Sequence, residues 1–123
     1  MILVTGGAGY VGSHCVLALL ENGYDVVIFD NLELGHIETV ETLKSIQANG
    51  KVVDFIQGDL KNLSDIQSVF GKHKIEAVVH FAAYSQVAES MKNPQKYFSN
   101  NVDGTVNLLK SMISIKPRKY INN

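Results

Sequence analysis

Short apolar runs recur along the chain, and each stops at a glycine or a polar residue. Residues 1–5, 25–30, 52–57 and 76–83 are runs of this kind, of the length and β-branched content of strands buried on both faces. Between them the apolar spacing changes to the helical period. Gly12 to about Asn22 reads as one helix, with Gly23 at its C′ position. Ile37 to about Asn49 reads as a second, carrying Ile37, Val40, Leu43 and Ile46 on one face and stopped by Gly50. A short helix follows from Ser64 as N-cap to Phe70, closed by Gly71. Residues 86–92 predict a helical turn, residues 94 to about 115 one long helix ended by Lys116-Pro117, and residues 118–123 the start of a fifth strand.

Strands alternating with helices predict an α/β fold, a doubly wound parallel sheet covered on both faces. Right-handed crossovers with a switch after the first strand give the order 3-2-1-4-5. The expectation is therefore a single domain over 1–123, incomplete in its fifth strand.

In such a sheet ligands lie over the C-terminal strand ends. There the first strand runs into Gly6-Gly7-Ala8-Gly9-Tyr10-Val11-Gly12, a turn almost bare of side chains that opens a helix. Gly7, Gly9 and Gly12 fit G-x-G-x-x-G, while Gly6, Gly9 and Gly12 fit G-x-x-G-x-x-G. Backbone N–H groups in such a turn can approach a diphosphate, and the helix dipole favours its charge. Asp30 ends the second strand 18 positions after Gly12. A carboxylate there accepts hydrogen bonds from ribose hydroxyls and repels a 2′-phosphate, which favours NAD over NADP. Asp59 and Phe81-Ala82-Ala83 fall at the ends of the third and fourth strands, so four strand ends converge on one site. An FMN-binding domain of flavodoxin type would not explain the glycine turn or Asp30.

Composition narrows the partners. Apolar residues make up 46% of the chain and charged ones 19%, with a formal net charge of −1, so no global field draws it to nucleic acid or an anionic membrane. No apolar run approaches the roughly 20 residues of a membrane span and no leader pattern opens the chain, which makes the cytoplasm the expected setting. Cys15 is the only cysteine and reads as a packed core residue, and the four histidines lack ligand spacing, so no metal site is expected. His14 reads as capping or packing the first helix, His36 and His73 as solvated loop residues, and His80 as a satisfied buried histidine. Ser85 has no base placed to make it a nucleophile.

Several separated blocks together resemble the UDP-glucose 4-epimerase family of extended short-chain dehydrogenase/reductases. They are Thr5–His14, Asp30-Asn31-Leu32, Gly58-Asp59-Leu60, His80–Ala83, Glu89–Pro94 and Tyr97–Thr105. The resemblance implies a Rossmann fold holding NAD. It assigns Gly6, Gly7, Gly9, Tyr10, Val11 and Gly12 to the pyrophosphate turn, and Asp30, Asn31 and Leu32 to the adenosine ribose. It sets Asp59 and Leu60 beside the adenine, Phe81, Ala82 and Ala83 beneath the cofactor, and Ser85 and Asn100 near it. Some members carry Gly and Lys where this chain has Ala83 and Ser85.

In that family NAD takes a hydride from C4 of a UDP-hexose and returns it to the other face, with a Tyr-x-x-x-Lys pair handling the proton. The tyrosines here stand at 10, 24, 84, 97 and 120, and none has lysine four residues on. The resemblance thus implies the NAD-binding portion of such an enzyme, binding NAD without turnover and without catalytic residues of its own. A free-standing, non-catalytic dinucleotide-binding module is the alternative. The nucleotide sugar belongs to the full-length family. The long helix resembles the one that builds the family's dimer interface, which implies self-association.

Overall fold

The computed structural model describes residues 1–114, and the expected fifth strand at 118–123 lies outside them. Four parallel strands, β1 (Ile2–Thr5), β2 (Val26–Asp30), β3 (Val52–Gln57) and β4 (Ala77–His80), lie in the order β3-β2-β1-β4. This is the expected order over the described strands. Register runs Ile2 to Val26 and Ile2 to Ala77, with one irregularity at Val26/Val27 against β3.

Alternation along each strand sends side chains to opposite faces, which builds two cores. Val4, Val26 and Ile28 pack with Val16, Leu20 and Val40 from α1 (Tyr10–Glu21) and α2 (Ile37–Ser45). Leu3, Val27 and Phe29 pack on the other face with Ile66 and Val69 of α3 (Leu63–Lys72) and Leu108 of α6 (Gly104–Ser114). Because both faces of β1 and β2 are covered, their residues are buried throughout, whereas edge strand β3 is only partly buried, with Val53 and Gln57 exposed.

Helix ends depart from the expected ones for local reasons. Helix α1 starts at Tyr10, two residues early, and closes as foreseen: Gly23 sits at φ +85°, and the N–H groups of Gly23 and Tyr24 donate to Leu20 and Leu19. Helix α2 stops at Ser45 rather than near Asn49, because Ile46 is already extended at ψ 127°. Gly50 is therefore no helix stop. It is a close approach, where a Cβ would lie 2.0 Å from the Tyr24 carbonyl oxygen. Helix α3 is capped by Asn62, whose side chain accepts from the Ser64 N–H at 3.2 Å, so Ser64 is the capped residue and not the cap. Gly71 lies within α3, which runs to Lys72.

Two short helices, α4 (Val87–Lys92) and α5 (Pro94–Tyr97), precede α6. The single long helix expected from residue 94 is interrupted: residues Phe98–Asp103 form a π-helical segment between α5 and α6. Cys15 is half-buried rather than fully in the core. His73 is no solvated loop residue, since its Nε2 lies 2.8 Å from Asp54. That pairing, with Lys72 beside it, outweighs burial and holds the Asp54 carboxyl below its ordinary value.

Candidate functional site

The glycine turn is shaped by contacts that exclude a side chain. Gly6 adopts φ +71°, and a Cβ there would stand 2.7 Å from the backbone of Phe81 and Ala82. At Gly12 a Cβ would stand 2.1 Å from the Gly6 carbonyl oxygen, so α1 seats directly on the turn. Gly9 is the N-cap residue, no side chain caps α1, and its first turn carries no acidic residue. The leading N–H groups of Tyr10, Val11 and Gly12 precede the first intrahelical bond, from Ser13 to Gly9 at 2.9 Å. They leave an uncompensated positive end.

Asp30 completes one wall. Its carboxylate is buried and accepts from the Ala8 N–H at 3.0 Å and the Leu32 N–H at 2.9 Å, tying the turn to the loop after β2. Leu32 is held at φ +61°, an unusual conformation for a branched side chain, by that second bond. Asn31 reaches towards Asp59 at 3.4 Å, and Asp59 also accepts from the Lys61 N–H at 2.9 Å. Its backbone N–H is anchored on Asp65.

These strand ends enclose a cavity of about 390 Å³. Of the residues singled out in the sequence, it brings together Gly6, Gly9, Tyr10, Val11, Gly12, Asp30, Asn31, Asp59, Leu60, Phe81, Ala82, Ala83, Ser85 and Asn100. Two stand apart. Gly7 packs beneath the turn, where a Cβ would meet Ile28 at 2.9 Å, and Leu32 turns into the core. Phe29, Glu33, Leu34, Gly35, Gly58 and Tyr84 also line the cavity and were missed. Gly35 could have been found, since its backbone presses against Ala8 and Asp30 just after the acidic strand end.

The far wall hangs on the π segment. Asn101 brackets the backbone of Tyr84, its amide oxygen accepting from the Tyr84 N–H and its NH₂ donating to the carbonyl, both at 2.9 Å. The wider turn sets Asn100 on the cavity while Asn101 holds the wall, consistent with the tendency of π segments to occur at functional sites. The Thr105 hydroxyl donates to the Asn101 carbonyl at 2.6 Å and lies 3.2 Å from His80, whose other ring nitrogen meets Thr5. His80 is thus satisfied on both nitrogens as expected, and burial pushes its pKa down. His14 caps within α1, its Nδ1 2.7 Å from the Tyr10 carbonyl.

Chemically the arrangement offers N–H donors and a helix terminus for a diphosphate, an acceptor carboxylate for a vicinal diol, and apolar surface from Phe29, Leu34 and Leu60 for a flat base. Neither Tyr84 nor Tyr97 is favoured as a tyrosinate. Burial first and the Glu33 carboxylate second raise the Tyr84 phenol far above its ordinary value, and Tyr97 is raised by desolvation and by Glu89. Among the described residues no cluster of His, Cys, Asp and Glu could hold a metal ion, and no helix is long and apolar enough to cross a membrane.

A family model described as GDP-mannose 4,6 dehydratase matches residues 3–122. The UDP-glucose 4-epimerase of Erwinia amylovora is 47% identical over 120 residues, covering 98% of this chain and 35% of that protein. Among solved structures, the UDP-glucose 4-epimerase of Stenotrophomonas maltophila with bound NAD and formylated UDP-arabinopyranose superposes with TM-score 0.82 at 39% identity, over 91% of this chain and 33% of that one. The UDP-glucose 4-epimerase of Bifidobacterium longum in complex with NAD+ and UDP gives 0.79 at 36% identity, over 91% and 33%. The chain spans about a third of the length of the curated relatives it matches.

Proposed function

The chain belongs to the UDP-glucose 4-epimerase family, as a counterpart of its N-terminal portion, and from that premise we propose that it binds NAD at the strand-end cavity without turning over a sugar nucleotide by itself. One observation carries this reading. Tyr10, Val11 and Gly12, whose N–H groups precede the first intrahelical bond, and the buried Asp30 line the same cavity. In this reading Gly6, Gly9, Tyr10, Val11 and Gly12 take the diphosphate, and Asp30 the adenosine ribose hydroxyls. Asp59 and Leu60 flank the adenine, and Phe81, Ala82, Ala83, Ser85 and Asn100 lie along the nicotinamide half. NAD supplies a hydride acceptor for a carbinol carbon. The chain's part is to bind and orient it.

Calorimetric titration with NAD tests the reading directly. Saturable binding at one site per chain is expected, with no interconversion of UDP-glucose and UDP-galactose. Absence of binding at millimolar NAD would remove the cofactor role, and turnover by this chain would remove the claim that it lacks the proton-handling pair.

A second copy of the chain is the partner this reading proposes. Phe98, Val102, Val106, Leu109 and Ile113 follow one another at spacings of four, four, three and four, which sets them on one helical face, and they are 67%, 43%, 41%, 50% and 79% exposed. Sedimentation equilibrium should show concentration-dependent dimers, and Leu109→Lys should shift the chain to monomer. An unchanged monomer at high concentration in the parent chain would sink the idea.

A further inference from the structure

The Tyr84 hydroxyl donates to the Glu33 carboxylate, and both side chains line the cavity. Glu33 lies in the loop after β2, and Tyr84 in the segment after β4. Those strands flank β1, so the two loops start roughly 10 Å apart, twice the strand spacing, with the glycine turn between them. The contact therefore arches over the turn. On the opposite side, Gly6 abuts the backbone of Phe81 and Ala82, and Asp30 holds Ala8, which closes the ring of contacts around the cavity.

The arch is braced from outside. The Lys96 ammonium stands 4.5 Å from the centre of the Tyr84 ring, 3.8 Å from a Glu33 oxygen and 2.7 Å from Glu89. The Tyr97 hydroxyl donates to Glu89 at 3.1 Å and its ring lies 5.4 Å from that of Tyr84. Asn101 fixes the Tyr84 backbone, so the arch can open by rotating the side chains of Glu33 and Tyr84 while the loop stays in place.

Resting on the dinucleotide reading of the cavity, we propose that the Glu33–Tyr84 contact is a clasp that must part whenever ligand enters or leaves. It sets the rate of exchange and leaves the affinity nearly unchanged. A barrier common to entry and exit slows both directions alike, and Lys96, which also pairs with Glu89, offsets part of the Glu33 charge that an entering diphosphate meets.

Stopped-flow fluorescence with NADH tests this on the parent chain, Tyr84→Phe and Glu33→Gln. Tyr84→Phe keeps the ring under Lys96 and removes only the donor. Loss of one charge-assisted hydrogen bond should raise both association and dissociation rates about tenfold while the equilibrium constant moves by less than about twofold. Unchanged rates in both variants, with NADH still bound, would overturn the clasp alone. A weaker equilibrium constant at constant association rate would overturn it too, making the pair an ordinary part of the binding surface. Failure of the parent chain to bind NADH would instead remove the dinucleotide reading, and the clasp with it.

Discussion

Alanine at Gly12 is expected to abolish NAD binding and to destabilise the chain by about 3 kcal/mol. Helix propensity alone argues the opposite way, since alanine is favoured over glycine by roughly 1 kcal/mol inside a helix. The clash decides the sign. The new Cβ would stand 2.1 Å from the Gly6 oxygen, 2.8 Å from the Gly6 carbonyl carbon and 3.0 Å from the Gly7 Cα. All three are backbone atoms, which cannot rotate away. Helix α1 would have to back off the turn, lifting the N–H groups of Tyr10, Val11 and Gly12 out of the cavity. Gly71→Ala is the matched control, because nothing lies within 4 Å of a Cβ there. It should leave NAD binding alone and raise the urea midpoint through a gain of about 0.5–1 kcal/mol. If Gly12→Ala unfolded at the parent midpoint and bound NAD normally, the turn could not be the phosphate cradle.

The contrast between Gly12 and Gly50 shows what a sequence exposes and what it hides. Gly12 belongs to a local unit of strand, turn, helix, strand and acidic residue, and everything that defines it lies within about thirty residues. Gly50 follows a helical pattern and so imitates a helix stop, while its real constraint is the Tyr24 carbonyl, which the chain brings up from the end of α1. The helix cap at Asn62 is a closer miss: two polar residues two positions apart satisfy the same rule, and only the bond from the Ser64 N–H to Asn62 separates them.

The same distinction holds within the site. Asp30, Asp59 and Phe81-Ala82-Ala83 were legible because buried strands end there, and strand ends are where this architecture places ligands. Glu33 and Tyr84 were not, although they meet, because 51 positions separate them and neither belongs to a periodic pattern. The π segment was hidden for a different reason. Its apolar positions keep a near-helical spacing, and the widened turn shows itself only through what it accomplishes, with Asn101 bonded to Tyr84 and Asn100 on the cavity.

Asp30→Ala should weaken NAD binding about 100-fold, through loss of charge-assisted hydrogen bonds to the ribose worth roughly 1.5–3 kcal/mol and slackening of the turn itself. The second contribution is as physical as the first. The buried carboxylate satisfies the Ala8 and Leu32 N–H groups, and Leu32 is held at φ +61° by it. Removing both acceptors should cost the fold about 2–6 kcal/mol, at roughly 1–3 kcal/mol for each donor left unpaired. Asp30→Asn separates the two effects. Its amide oxygen can keep one of the N–H bonds, while its NH₂ group faces the other donor and its charge is gone. The asparagine variant should therefore regain part of the stability yet discriminate poorly between NAD and NADP, because a neutral side chain no longer repels a 2′-phosphate. Paired titrations with the two cofactors, alongside urea midpoints, distinguish the outcomes. If Asp30→Asn kept the parent preference for NAD, selectivity would have to come from elsewhere in the site, with Glu33 and Asp59 the other carboxylates on the cavity wall.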